Sequence, residues 1–144
     1  MVIKGAWLLC DDGVLRPIMR GEVRAADGEW IQVPFLVDVG ADRTVFSEDV
    51  FRALGIAQLG EKRHFEGVGG KAESVILDTQ IRLTRETGAT ILVNGPFAAF
   101  TDPAALDISV LGRDLTNLFA VLVDRPQDVV CLVGANHRCI IVEA

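Results

Sequence analysis

The sequence lacks the features that mark several common classes of protein. No cluster of Lys and Arg stands out among its 144 residues, and 20 Asp and Glu outnumber 14 Lys and Arg, for a formal net charge of −6. Such a chain is not expected to bind nucleic acid or an anionic membrane surface. The three cysteines, Cys10, Cys131 and Cys139, are an odd number without the spacing of a disulfide framework. Free thiols in a reducing compartment are therefore expected, with the cytoplasm as the default location.

Patterns for metal binding and for other catalytic chemistries are equally scarce. Cys131, His137 and Cys139 have no fourth ligand at a zinc spacing, so no metal is expected. No serine lies in the context of a nucleophile elbow. The glycines that begin at Gly67 lack phosphate-loop spacing and lead into a strand. The apolar patch from Gly5 to Cys10 is too short for a signal peptide or a membrane span. The sequence thus predicts no cofactor.

What the chain does have is a high content of apolar residues. Half of its residues are hydrophobic and the mean hydropathy is +0.35, which is high for a small soluble domain. Long buried strands or an obligate interface would explain this value. No linker or low-complexity segment divides the chain, so a single domain spanning residues 1–144 is predicted.

Apolar runs separated by turn residues predict a mostly-β domain with two short helices. The first hairpin joins the strands Val14 to Ala25 and Trp30 to Val37 through the turn signal Asp27-Gly28. Pro17 predicts an edge position for the first of these strands, because proline cannot donate a hydrogen bond to a neighbour.

A short helix is predicted to begin after Ser47, a good N-cap residue, and to end at Gly55. Near the C-terminus, Ala120 to Val123 and Val129 to Val133 are two apolar strands. The sequence leaves open whether residues 127–144 build a dimer interface or cover an open edge.

The stretch from Phe35 to Phe46 organises the chain. An apolar run ends on Asp38, Gly40 follows two residues later, and Asp42 precedes a second β-branched run. The first run predicts a buried strand, and Gly40 predicts a sharp turn in which glycine adopts a positive φ. Asp38 is thus placed at the tip of a buried strand, where an unpaired charge is costly. Two such acids facing each other cannot both ionise, so they share a proton and can activate a water molecule.

The chain carries one clear copy of this motif, so a second acid would come from a second chain. The alternative is an acid that caps a turn in an ordinary β domain. A faint internal repeat accompanies the motif: Leu36 to Gly40 and Ser109 to Gly112 each place apolar strand residues before a glycine turn and a short helix. Two related halves facing each other predict a small closed barrel with the Asp38 turn near its centre.

Three motifs, in this order, resemble those of the retropepsin family, the retroviral-type aspartic proteases and their bacterial relatives. Val37 to Asp42 matches the family's Asp-Thr/Ser-Gly-Ala, which is often followed by Asp. The glycine-rich stretch from Gly67 to Gly70 stands at the place of the flap. Val110 to Asp114 matches an apolar pair followed by Gly-Arg-Asn or Gly-Arg-Asp. The resemblance covers about residues 20–125 and implies a small closed β-barrel of the acid protease type, with one Asp-x-Gly motif per chain.

The resemblance implies an aspartic endopeptidase that is a homodimer, with one Asp38 from each subunit and a peptide or protein as substrate. One carboxylate would act as general base on the attacking water, while its protonated partner would hydrogen-bond the scissile carbonyl. Apolar pockets would give specificity. The other implied site residues form the active-site turn and the substrate-binding flap region: Val39, Gly40 and Ala41 in the turn, and Asp42, Gly67, Val68, Gly69 and Gly70 around the substrate.

The resemblance also implies an ion pair between Asp42 and Arg113, which would hold the catalytic turn against the second helix. If this pair is buried, removing one partner should strongly destabilise the protein, because it leaves one charge uncompensated. The alternative is that Arg113 is a solvated residue at the start of a helix.

Val39 departs from the family pattern, which has Thr or Ser after the catalytic acid. In retropepsins that hydroxyl hydrogen-bonds across the dimer axis, and valine offers neither a donor nor an acceptor. Three hypotheses therefore stand. The first is an active aspartic endopeptidase, the second is a catalytically weak or inactive peptide-binding module of the same fold, and the third is an unrelated β domain in which Asp38 is structural.

Overall fold

The structure, a computed structural model, describes residues 1–57, 59–67 and 70–134, and for residues 59–67 and 70–72 it describes the backbone alone. This part of the chain is mostly β, as predicted, with two short helices. The helices are α1 (Glu48–Leu54) and α2 (Arg113–Thr116). The strands are β1 (Val2–Lys4), β2 (Ala6–Leu9), β3 (Leu15–Arg24), β4 (Trp30–Val37), β5 (Val45–Phe46), β6 (Leu59–Gly67), β7 (Gly70–Leu77), β8 (Gln80–Thr84), β9 (Thr90–Asn94), β10 (Phe97–Phe100), β11 (Ser109–Leu111), β12 (Ala120–Asp124) and β13 (Val129–Val133).

The strands form one large and one small sheet. Ten strands make a sheet curled into a half-barrel, in the order β6-β7-β10-β5-β11-β4-β3-β8-β9, with β2 paired to β3. The strands β1, β13 and β12 form the small sheet. One hydrophobic cluster joins both sheets, since it contains Phe35 and Leu111 from the large sheet together with Ile3 and Leu132 from the small one. No helix in the described part of the chain is long and apolar enough to cross a membrane.

The strand that carries Pro17 is central, so the predicted edge position is wrong. β3 pairs with β4 on one side and with β2 and β8 on the other. Pro17 is opposite Trp7 of β2, whereas the ladder between β3 and β4 on its other side begins only at Ile18, so the proline interrupts no pairing with β4. The turn between these strands is as predicted, with Gly28 at a φ of 88°.

Helix α1 begins and ends where the sequence indicated, but its first turn is held differently. Ser47 is the N-cap residue, yet its side chain makes no capping hydrogen bond to the helix backbone. Its backbone N–H instead donates to the Ser109 hydroxyl at 3.0 Å, which ties α1 to β11. Gly55 ends the helix in the left-handed conformation, with a φ of 63°.

The centre of the large sheet is a crossing of three strands. β11 lies between β4 and β5, so Val110 is opposite both Leu36, in a parallel ladder, and Val45, in an antiparallel one. The two strands of the sequence repeat, β4 and β11, are therefore direct neighbours. The segment 38–44 leaves β4 and must pass the end of β11 before it enters β5. At this crossing a Cβ added to Gly112 would lie 2.2 Å from the carbonyl carbon of Arg43 and 2.3 Å from its oxygen.

We expect Gly112→Ala to lower the free energy of unfolding by about 3 kcal/mol, because a methyl group forced against backbone atoms cannot be relieved by a side-chain rotation. Urea denaturation followed by circular dichroism measures the change. Gly134→Ala is the matched control, because its added Cβ would mainly meet the end of the flexible Met1 side chain. An equal effect of the two substitutions would show that the crossing is not tightly packed.

Candidate active site

Asp38 lies at the end of β4, where that strand meets β11. Its backbone N–H donates to the carbonyl of Leu111 at 3.2 Å, so the ladder between the two strands extends to this residue. The Asp38 carbonyl accepts the N–H of Ala41 at 3.2 Å and closes a tight turn. The side chain folds into the same turn, since Oδ1 accepts the N–H of Gly40 at 2.9 Å. The carboxylate is therefore fixed on one side and half-buried.

The structure gives Gly40 a constraint other than the predicted one. The sequence indicated a turn with a positive φ at this glycine, and the structure places its φ outside the positive range. Space is the actual constraint, because an added Cβ would lie 3.1 Å from Asp38 Oδ1. That contact is tighter than an ordinary carbon–oxygen approach and would push the carboxylate away from the Gly40 N–H.

The four carbonyls that follow Asp38 all find donors at the start of α2. The Arg113 side chain donates through Nη1 to the carbonyl of Val39 at 3.0 Å and, more weakly, to that of Gly40 at 3.4 Å. The Arg113 backbone N–H donates to the carbonyl of Ala41 at 2.8 Å, and the Asp114 backbone N–H donates to the carbonyl of Asp42 at 3.3 Å. An isolated turn would leave these carbonyls to water. The Gly-Arg-Asp motif thus shapes the whole turn that carries the acid.

Arg113 and Asp42 also form an ion pair through Nη2 and Oδ1. The Asp42 side chain is 81% exposed and that of Arg113 is 44% exposed. The sequence-based argument for a large loss required a buried pair, and within one chain this pair is open to solvent. An exposed pair contributes about 0–1 kcal/mol, so the carbonyl contacts of Arg113 are the more important part of its role.

Thr44 and Asp114 form a second link between the turn and α2, and sequence reasoning gave neither residue a role. Thr44 is fully buried, and its hydroxyl accepts the N–H of Gly112 at 3.1 Å while donating to Asp114 Oδ1 at 2.7 Å. The same Oδ1 accepts the Thr44 N–H at 2.9 Å. The one available signal was Asp114 itself, the last residue of the third motif, because an acid in the first turn of a helix is well placed to accept N–H groups.

A row of apolar side chains runs across the sheet beside Asp38. Strand alternation places Leu36 on the same face as Asp38. The strand register places one residue beside Leu36 on each neighbouring strand and continues the row outward from there. None of these residues belongs to the hydrophobic cluster that joins the two sheets. The row consists of Ile18, Leu36, Val110, Val45 and Ala98. It gives the carboxylate an apolar neighbourhood on its own face of the sheet.

The predicted flap residues belong to the hairpin of β6 and β7. Gly67 and Gly70 are the last paired residues of this hairpin, and Val68 and Gly69 lie outside the described residues. β7 pairs with β10, which in turn pairs with β5. The hairpin is therefore part of the same sheet as the Asp38 turn. Val39, the residue that departs from the family pattern, is 56% exposed.

Metal ligands were not expected, and among the side chains that the structure describes no group of three or more His, Cys, Asp or Glu could hold an ion. His137 and Cys139, which the sequence analysis weighed for this role, lie outside the described residues. Cys10 and Cys131 are free thiols. Burial raises the pKa of the Cys131 thiol, which keeps it protonated.

The decisive comparison is with protein families. Residues 22–115, which contain the Asp38 turn and the Gly-Arg-Asp motif, match the family model described as aspartyl protease. The chain belongs to the aspartyl protease family. This confirms the resemblance stated from the three motifs.

One solved structure agrees with this aspartyl protease assignment at the level of fold. A retropepsin-like aspartic protease from Rickettsia conorii is 20% identical and superposes with a TM-score of 0.58, over 92% of this chain and 97% of that one. The fold is therefore of the retropepsin type. EIAV protease in complex with the inhibitor HBY-793 is 24% identical, with a TM-score of 0.46 over 71% of this chain and 86% of that one. Among curated proteins, none matches the sequence.

Substitutions at Thr44 test whether its hydroxyl or its packing holds the turn. Thr44→Val keeps the shape and removes the hydroxyl, which leaves the buried Gly112 N–H without its acceptor at a cost of about 1–3 kcal/mol. Thr44→Ser keeps the hydroxyl and loses a methyl group, which costs about 1 kcal/mol. We expect the serine variant to be the more stable in urea denaturation. The opposite order would assign the role of Thr44 to packing.

Proposed function

We propose that this protein is a homodimeric aspartic endopeptidase, with one Asp38 from each subunit at its centre. The observation that carries the proposal is the placement of Asp38. In a chain of the aspartyl protease family, this carboxylate sits at a strand tip with Oδ1 held by the Gly40 N–H. The turn around it is exposed at Val39 and Gly40, which leaves room for a second subunit and a substrate.

The chemistry requires two carboxylates, which is why a second chain is part of the proposal. When two acids approach closely, one remains protonated. The ionised carboxylate takes a proton from a water molecule as its oxygen attacks the scissile carbonyl carbon. The protonated partner hydrogen-bonds the carbonyl oxygen, where negative charge develops. The amine leaves with a proton returned by the acid pair, and no metal or covalent intermediate takes part.

The substrate proposed is an extended peptide with apolar side chains. An extended chain binds by backbone hydrogen bonds to strand-like elements, while alternate side chains enter pockets. The glycine-rich end of the β6–β7 hairpin, Gly67 to Gly70, would cover the peptide, and Ala41 and Asp42 would lie on its other side. The preference for apolar side chains is carried over from the resemblance to retropepsins, since in the apolar row beside Asp38 only Leu36 is partly exposed. The free thiols of Cys10 and Cys131 support a reducing location such as the cytoplasm.

Incubation with a diverse peptide pool from about pH 4 to 7, a range that spans a normal and a raised carboxyl pKa, tests the proposal by mass spectrometry. We expect cleavage next to apolar residues and its loss in Asp38→Asn. Asp27→Asn is the matched control, because Asp27 lies in the exposed turn before β4, at the opposite end of that strand from Asp38. Analytical ultracentrifugation of the same samples reports the dimer. A dimer that cleaves nothing, or cleavage that survives Asp38→Asn, would contradict the proposal.

A second candidate, a peptide-binding module without activity, is favoured by Val39. Its side chain has no hydroxyl for a bond across a dimer axis, and it is 56% exposed. If the hydroxyl matters here, Val39→Thr should tighten the dimer and raise cleavage, since a recovered hydrogen bond contributes about 0.5–1.5 kcal/mol. Dimer dissociation measured by dilution and cleavage of one peptide report both effects. No change in either property would show that this protein does not depend on cross-axis bonding at position 39.

A further inference from the structure

We propose that Arg113 positions the Asp38 carboxylate through the peptide bond between Val39 and Gly40. The catalytic consequence rests on the proposed function, whereas the positioning itself does not. One planar peptide unit contains both the Val39 carbonyl and the Gly40 N–H. Its oxygen accepts from Arg113 Nη1 at 3.0 Å, and its N–H donates to Asp38 Oδ1 at 2.9 Å.

The planarity of the peptide makes these two hydrogen bonds interdependent. In a trans peptide the C=O and N–H groups point in opposite directions and cannot rotate separately, and the described chain has no cis peptide. When the guanidinium fixes the direction of the Val39 carbonyl, it fixes the direction of the Gly40 N–H as well. That N–H is the group that holds one oxygen of the carboxylate. Hydrogen bonds in series also polarise one another, so a cationic donor strengthens the second bond.

The turn has little else to hold this peptide in place. Val39 and Gly40 are both exposed, and the Val39 side chain carries no polar atom. The Gly40 carbonyl accepts from the same Nη1 at 3.4 Å, so a second contact to this part of the turn also depends on Arg113. A lysine would keep the charge and lose the planar fork that serves several acceptors at once.

Asp42 takes a supporting part in this arrangement. Its carboxylate pairs with Nη2 of Arg113, which leaves Nη1 directed at the two carbonyls. Removing the Asp42 charge keeps Arg113 in the structure and weakens only its orientation. A graded series of variants therefore follows from the geometry: Asp42→Asn should have a smaller effect than Arg113→Lys, and Arg113→Ala should have the largest.

The amide of Gly40 gives a readout that does not require activity. Its hydrogen exchange and proton chemical shift, followed by NMR, report the bond to Asp38, and Asp38→Asn calibrates the signal for a weakened acceptor. In Arg113→Ala we expect exchange at Gly40 to accelerate about tenfold or more, the loss expected for a charge-assisted hydrogen bond. Arg52→Ala is the matched control, because Arg52 is an exposed helix arginine with an ion pair to Glu48.

Kinetics and chemical rescue complete the test. Arg113→Ala should lower kcat about tenfold and leave KM within about twofold, because a displaced carboxylate impairs the reaction more than peptide binding. The Arg113 side chain is partly exposed, so the space that it vacates is open to solvent. Added guanidinium ion should restore slow exchange at Gly40 and part of kcat, whereas methylammonium should not.

Two results would overturn the positioning role. One is unchanged exchange at Gly40 in a folded Arg113→Ala protein. The other is an equal acceleration at a distant core amide such as Val23, which would show a general loss of stability. If the wild-type protein cleaves no peptide, the proposed function fails, and the Gly40 amide alone decides whether Arg113 positions Asp38.

Discussion

The hydrogen bonds between the turn 39–42 and the start of α2 determine how this site is built. The chain leaves β4 at Asp38 and enters β5 at Val45, so the intervening carbonyls have no neighbouring strand. In an isolated turn these carbonyls would bond to water, and the first N–H groups of a helix also lack partners within it. The start of α2 meets the turn 39–42 and satisfies both needs. This close approach leaves room only for glycine at position 112.

Two motifs separated by about 70 residues thus act as one structural unit. Asp42 and Thr44 contact Arg113 and Asp114 across sequence separations of 71 and 70 residues. Parallel pairing of β4 with β11 brings the ends of these strands together, and each strand is followed by one of the motifs. The contact between the motifs depends on this pairing rather than on their separation in the sequence. What must be kept is the pairing register, because a slip of one residue would turn Asp38 to the opposite face.

The sequence predicted the local features well and the non-local ones poorly. Gly28 and Gly55 were correctly placed because their turns depend on neighbouring residues alone. The position of Pro17 was predicted wrongly, because centrality in a sheet depends on where a distant ladder begins. Gly40 was identified for the wrong reason, since its constraint is contact with Asp38 Oδ1 rather than φ. Thr44 and Asp114 were missed as a pair because nothing local indicates a hydrogen bond across 70 residues.

Because the turn is exposed, the chain and its proposed partner would contribute different parts of the site. Each chain fixes the shape of its own turn through the donors of α2, yet Val39, Gly40 and Asp42 remain exposed. A second subunit would supply the other acid and remove water from this surface. Charges interact more strongly as the surrounding dielectric falls, so the pair of Asp42 and Arg113, weak in one exposed chain, would gain strength on assembly. That gain must exceed the cost of desolvating both groups, and the hydrogen bonds that Arg113 already makes to the Val39 and Gly40 carbonyls lower this cost.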